Sequence, residues 1–344
     1  MSNILIPVKT YLGKYYPELY ISSSQEKYKS AGVDKFFEQR FLVQNNNIQM
    51  VVDNTLSGLQ FIFAGNEIYI SQEMYNHPHI NVINSLEESQ DKNPRHLYNP
   101  DVFSTVAYLM CRNHVTFHIV GELDKPIYAR YKSEYETFYS TVVVFNIDTD
   151  AEIEIVEEIE SSCALNAVMN YILNPGSHTK LTTFYRNNIS AVSFLYRNVI
   201  SQQKSYFNHT LLGKGSSTVV DETKISTALR SNIELFGCVD SLGKDFHSIL
   251  TVEPSAWDYR IHVDYRNLIR SNDHVTYYPL MIGQEPNRRS SISVNDLDLD
   301  TLLPTNKPGA IDKFISDVIL QIRTNKLSDI TRLHDNKAKF LDFE

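Results

Sequence analysis

The hydrophobic pattern of this chain changes period near residue 114. Before it, Val102, Val106, Leu109 and Met110 fall on one side of a helix. Asn99 can cap that helix, Pro100 suits its first turn, and Asp101 complements the positive end of its dipole. Arg112-Asn113 ends it. After it, short apolar runs alternate with polar turns. His114-Val115-Thr116-Phe117-His118-Ile119-Val120 reads as a strand, followed by Leu123 to Ala129. The acidic run Glu152–Glu160 alternates with Ile153, Ile155 and Ile159, which predicts a strand with one solvated face.

The strand pattern continues to about residue 285. Thr141 to Phe145 is broken by Asn146-Ile147-Asp148, and Leu173 by Asn174-Pro175-Gly176-Ser177. Thr182 to Tyr185, Ala191 to Tyr196, Ile233 to Phe236, Ile249 to Val252 and Val275 to Tyr278 follow. Turns recur roughly every ten to fifteen residues, the spacing of a sandwich, barrel or β-solenoid. No exact repeat is visible, so periodicity alone does not select among them.

Upstream, Leu59 to Phe63 and Glu67 to Ser71 flank Gly65-Asn66, a hairpin signal. His79 to Ile83 is a further strand, 87–99 a polar exposed loop, and Val33 to Leu42 has short, near-helical spacing. Downstream, Ala310, Ile311, Phe314, Ile315, Val318, Ile319 and Ile322 fall on one helical face opposite Asp312, Lys313, Asp317 and Gln321. These shifts divide the chain into a mixed helical and hairpin region at 1–113, a strand core at 114–290 and a helical region at 291–344.

Composition narrows the function classes. The 344 residues carry a formal charge of −9, which argues against a mainly nucleic-acid-binding role. Tyr is frequent at 21 and Gly sparse at 12, a balance that favours sheet faces. Three scattered cysteines, with no CxxC pair, suit a reducing compartment better than a disulfide framework. The start, Met1-Ser2-Asn3-Ile4-Leu5-Ile6-Pro7, turns polar too soon for a signal peptide, and no stretch approaches the roughly twenty apolar residues of a spanning helix. The expectation is a cytoplasmic protein with no membrane partner.

Catalytic signatures are sparse. Gly213-Lys214-Gly215-Ser216-Ser217 lacks the spacing of a phosphate loop and reads as a β-turn between strands. Cys238, with Asp240, Asp245 and His247 close behind, offers a thiolate and an imidazole for a metal or sulfur site; a small buried residue before a turn is the plainer reading. His114 and His118 share a strand face without an evident third ligand.

The order of parts resembles the SufB/SufD family of iron–sulfur cluster assembly proteins, SufD more than SufB. Gly65 to Ser71 sits where that family has a short hairpin, and Ile80 to Glu88 is similar to the stretch that follows. Asp101 to Ala107 resembles its helix, Phe117 to Val120 with Lys125-Pro126-Ile127 its strand and "Pi" pair, Ala151–Ser162 its acidic strand, and Ser290–Ile319 its closing segment. The resemblance implies a right-handed parallel β-helix core between a mixed N-terminal part and C-terminal helices. It implies no enzyme activity of the chain itself, a transient iron–sulfur cluster shared with a partner, a SufC-like ATPase, and a SufB-like subunit or a second copy. The ATPase-binding face would be Ala310, Ile311, Phe314, Ile315 and Val318, which could equally pack on the chain's own core. One departure is plain. The family's cysteine–histidine or histidine–glutamate stretch corresponds to Ile282 to Ser291, which holds neither cysteine nor histidine. A divergent β-helical structural or assembly protein, of viral or mobile-element origin and without cluster chemistry, is therefore the second expectation. A β-helical carbohydrate-active enzyme using Asp240, Asp245 and Glu253 is a third.

Overall fold

A computed structural model describes residues 5–7, 10, 14, 40–42, 50–64, 67–84, 107, 114–133, 138–161, 164–187, 191–215, 218–240, 245–254, 258–269, 274–281 and 291–298. The described chain is a parallel β-solenoid, the expected β-helix. Its first strands are β1 (Leu5–Pro7), β2 (Arg40–Leu42), β3 (Met50–Asp53), β4 (Gln60–Ala64) and β5 (Glu67–Ser71). A one-turn helix α1 (Gln72–Tyr75) leads to β6 (Ile80–Asn84), β7 (His114–Ile119) and β8 (Ile127–Ser133). Long strands follow: β9 (Phe138–Ile147), β10 (Glu152–Ser161), β11 (Ala164–Leu173), β12 (His178–Asn187), β13 (Val192–Ser201) and β14 (Tyr206–Gly215). The last are β15 (Thr218–Thr227), β16 (Asn232–Asp240), β17 (Asp245–Pro254), β18 (Arg260–Ile269), β19 (His274–Met281) and β20 (Ser291–Asp298).

β1 and β2 pair only with each other, and from β7 onward successive strands alternate between two larger sheets. The ten-stranded sheet runs β20-β18-β16-β14-β12-β10-β8-β4-β5-β3, and the eight-stranded sheet β19-β17-β15-β13-β11-β9-β7-β6. From β7 onward each strand pairs in parallel with the strand two places on, without slips: Glu152 to Ser161 of β10 opposes His178 to Asn187 of β12 residue for residue. One coil is therefore two strands and two turns. Its length alternates. Thr183 lies 26 residues beyond its Cα partner Glu157, whereas Asn198 lies 28 beyond its Cα partner Asn170.

One set of turns is built alike. Ser177, Ser205 and Ser231 each donate a hydroxyl back to the carbonyl three residues earlier, at 2.8, 2.7 and 2.8 Å. The preceding residues, Gly176, Lys204 and Arg230, have φ of 81°, 61° and 59°. Their N–H groups donate to the turn of the next coil, at Gln203, Leu229 and Asp258. The turns thus continue the ladder where the strands stop. Asn174 donates to Asn146 at 3.1 Å and accepts from Gln202 at 3.0 Å, a side-chain ladder beside those turns.

The N-terminal end of the stack is closed by antiparallel pairs. The expected hairpin forms from β4 and β5, with Phe61 opposite Ile70, and β6 runs antiparallel to β7. Ser71 caps α1 by accepting from Met74 N at 3.2 Å, and its hydroxyl donates to Gly58 O at 2.6 Å. Inside this end Phe61 stacks on Phe117 at 4.6 Å, Phe117 on Phe145 at 5.5 Å, and Phe145 on Tyr171 at 5.3 Å. Such a ladder follows from the register, since Phe117, Phe145 and Tyr171 are Cα partners on adjacent strands.

Several boundaries differ from expectation. β9 runs through Asn146-Ile147 and β12 through Asn187, because a strand whose neighbours on both sides hold its backbone is not broken by a polar residue. Gly213-Lys214-Gly215, expected to be a turn, is instead the end of β14. Arg40–Leu42 is a strand although it lies in a stretch with helical spacing. Ser291–Asp298, in the part expected to be helical, is β20 and pairs with β18. Of the expected 99–113 helix only Ala107 is described; it is helical and packs buried on Val142, Val168 and Tyr196. The loop at 87–99 and the helix at 309–323 lie outside the described residues.

Candidate functional site

Alternation fills the solenoid's interior from every second residue of each strand. Along β10 those residues are Ile153, Ile155, Glu157 and Ile159, all fully buried. The acidic run is a strand, and Glu152, Glu158 and Glu160 lie on its outer, partly solvated face, but the alternation is broken in its middle. Val156 occupies an outward position where a glutamate continues the pattern, and Glu157 falls inward. On β13 the inward row includes Leu195, Arg197 and Val199, and on β15 Val219, Asp221 and Ile225. Arg197 and Glu157 are 0% exposed and Asp221 is 3%.

These three side chains meet. Arg197 Nη1 lies 2.7 and 2.8 Å from the two oxygens of Asp221. Its Nη2 and Nε lie 3.1 and 3.3 Å from Glu157 Oε2. Thr183 donates to the same Glu157 oxygen at 2.8 Å and stands 3.0 Å from His209 Nε2. Tyr171 donates to Glu157 Oε1 and Tyr185 to Asp221 Oδ2. The guanidinium also reaches the Tyr185 hydroxyl at 3.1 Å and sits 5.9 Å from the centre of its ring. One arginine thus ties both sheets and three successive coils together, through β10, β12, β13 and β15. Gly237 belongs to this architecture. A Cβ there would lie 2.2 Å from the ring of Tyr265, its Cα partner on β18, so glycine makes room for that ring.

The electrostatics follow from enclosure. Burial disfavours charge on Arg197, but Asp221, Tyr185 and Glu157 outweigh it and hold the guanidinium well above its ordinary range. Burial, with Glu157 or Asp221 nearby, pushes the phenols of Tyr131, Tyr171 and Tyr185 up, so they stay protonated donors. Burial and the charge of Arg197 hold His209 well below its usual value, hence neutral. The site binds charge tightly and is closed to solvent. A substrate would reach it only if the coils parted.

The sequence-predicted residues lie elsewhere. Cys238 is on β16 of the ten-stranded sheet, opposite Leu212 and Arg266, and His247 on β17 of the eight-stranded sheet, opposite Val220 and Thr276. Each is described by its backbone alone, and their strands belong to different sheets. Among the described residues no group of three His, Cys, Asp or Glu side chains is placed to hold a metal ion. His118, on β7, is 3.9 Å from Asp148. Glu253 pairs with Lys224 at 3.0 Å. Ala310, Ile311, Phe314, Ile315 and Val318 lie outside the described residues. Among the described residues no helix is long and apolar enough to cross a membrane. No family model and no curated protein matches the chain.

Proposed function

We propose that this chain is a SufD-like, non-catalytic scaffold subunit of a cytoplasmic iron–sulfur cluster assembly complex. It would bind a SufC-type ATPase through the apolar helix face Ala310, Ile311, Phe314, Ile315 and Val318, and stand beside a SufB-like subunit with which a transient cluster is shared. The supporting observation is the parallel β-solenoid itself, in the part of the chain where the resemblance puts it and preceded by the hairpin β4–β5. A stack of paired coils with a closed interior suits a rigid support better than a reaction cleft. Fold alone does not carry function, so the reading rests on the order of parts as well.

The test is co-expression with a SufC-type ATPase and a SufB-like subunit, followed by anaerobic reconstitution with iron and sulfide. The proposal expects a stable complex and a cluster chromophore that needs the partner. No complex and no chromophore would sink it. Cys238→Ser refines the outcome, because loss of the chromophore would make Cys238 a ligand, with His247 as the nearest imidazole in sequence.

The second reading is a β-solenoid assembly protein without cluster chemistry. The absence of cysteine and histidine from 282–291 favours it. It expects the complex without the chromophore, or self-association alone.

A further inference from the structure

The interior carries more negative than positive charge. Among the described residues, the charged side chains that share the faces of the apolar core are Glu157, Asp221 and Arg197. Two carboxylates thus face one guanidinium, and His209 is held neutral by burial and by Arg197. An uncompensated charge in a dry interior is expensive, and the structure otherwise satisfies this cluster thoroughly. Arg197 occupies Oε2 of Glu157 and both oxygens of Asp221. Glu157 Oε1 receives the Tyr171 hydroxyl.

A second, independent observation falls on that side of Glu157. The hydroxyl of Tyr131 is fully buried and has no hydrogen-bond partner. Tyr131 stands on β8, two residues beyond Ala129, the Cα partner of Glu157, and its ring is held by Phe63, stacked at 5.4 Å, and Phe61, edge-on at 6.2 Å. Tyr131 shares the inward face of β8 with Ile127 and Ala129, all fully buried, and its phenol lies within electrostatic range of both Glu157 and Arg197. A buried phenol without a partner is rare and asks for an occupant.

We propose that a monovalent alkali cation, sodium or potassium, sits in the solenoid interior against Glu157 Oε1 and the hydroxyl oxygens of Tyr131 and Tyr171. The chemistry fits. Neutral phenols and a carboxylate are hard oxygen donors. Tyr171 donates its proton to Glu157 and still has lone pairs to offer. A single positive charge brings the cluster to neutrality, whereas a divalent ion would overshoot it beside a fixed guanidinium.

The test is thermal unfolding of the full chain in sodium, potassium and choline chloride at one pH and one ionic strength, with Tyr131→Phe in parallel. Sodium or potassium should raise the midpoint over choline, saturably, by about 2–4 °C at ten times the dissociation constant. Tyr131→Phe keeps the ring stack, so its midpoint in choline should stay near that of the parent while the cation-dependent rise is lost. Equal midpoints of the parent in all three salts would overturn the proposal. So would a rise that persists unchanged in Tyr131→Phe, since the ion would then bind elsewhere.

Discussion

The capped end of the solenoid and its middle are built on the same strand pairing but filled in opposite ways. Around Phe61, Phe117 and Phe145 the inward positions carry stacked aromatic rings; two coils on they carry Glu157, Arg197 and Asp221. The aromatic end gains from area removed from water, a term indifferent to modest changes of shape. The middle gains little net energy from its charges, because desolvation offsets much of their attraction. What it gains is definition. A slip of two residues between coils would keep apolar positions facing inward, yet would separate Arg197 from its partners. The contrast implies that packing holds the stack together and the ion pairs fix which residue faces which.

The largest expected break is Arg197→Met. It leaves two carboxylates buried without their cation and should cost about 3–5 kcal/mol in urea unfolding, while its apolar volume nearly matches the arginine stem. Next is pH. His209 is neutral in the fold and has an ordinary affinity for protons when unfolded. Its folded-state value is depressed, so the stability it carries is present above about pH 6.5 and lost as pH falls below that. Unfolding free energy should fall by up to about 1.4 kcal/mol per pH unit below 6.5 from this group, and His209→Gln should flatten that slope. At the aromatic end, Phe145→Leu should cost about 1.5 kcal/mol or less, since the ring stack on Phe117 and Tyr171 repacks around a smaller apolar group. The smallest effect belongs to the turns. Gly176→Ala meets no atom within 4 Å, so only its φ of 81° opposes the substitution, for about 1 kcal/mol by thermal melting.

Much of the scaffold was legible in the sequence. The hairpin at 59–71, the strand at 114–120 and the turn at Asn174-Pro175-Gly176-Ser177 all stand where period and turn chemistry put them. The coil repeat was not legible, for two reasons. Its loops on one side alternate in length, as between Ser161 and Ala164 and between Asn187 and Val192, so no single period recurs. A solenoid also asks only for inward side chains of suitable size, and the row Ile155, Leu181, His209, Leu235 and Val263 has no common residue. The ionic cluster was missed because charge reads as exposure. Arg197 between Leu195 and Val199, and Asp221 between Val219 and Ile225, hold the inward parity of their apolar neighbours, and that parity was the signal to follow. Cys238 and His247 stood out by residue type and sequence proximity, but short loops carry neighbouring strands to different sheets.

The central claim is that Glu157, Arg197 and Asp221 act as one unit that specifies register more than it stabilises. The direct measurement is the unfolding free energy of the triple variant Glu157→Leu, Arg197→Met, Asp221→Leu beside that of Arg197→Met alone. The account predicts that the triple variant is clearly more stable than Arg197→Met, because no charge is left buried, and that it falls short of the parent only by the cost of the Tyr171, Thr183 and Tyr185 hydroxyls that lose their acceptors. A triple variant at least as unstable as Arg197→Met would contradict it, and would make the ion pairs themselves the source of the stability.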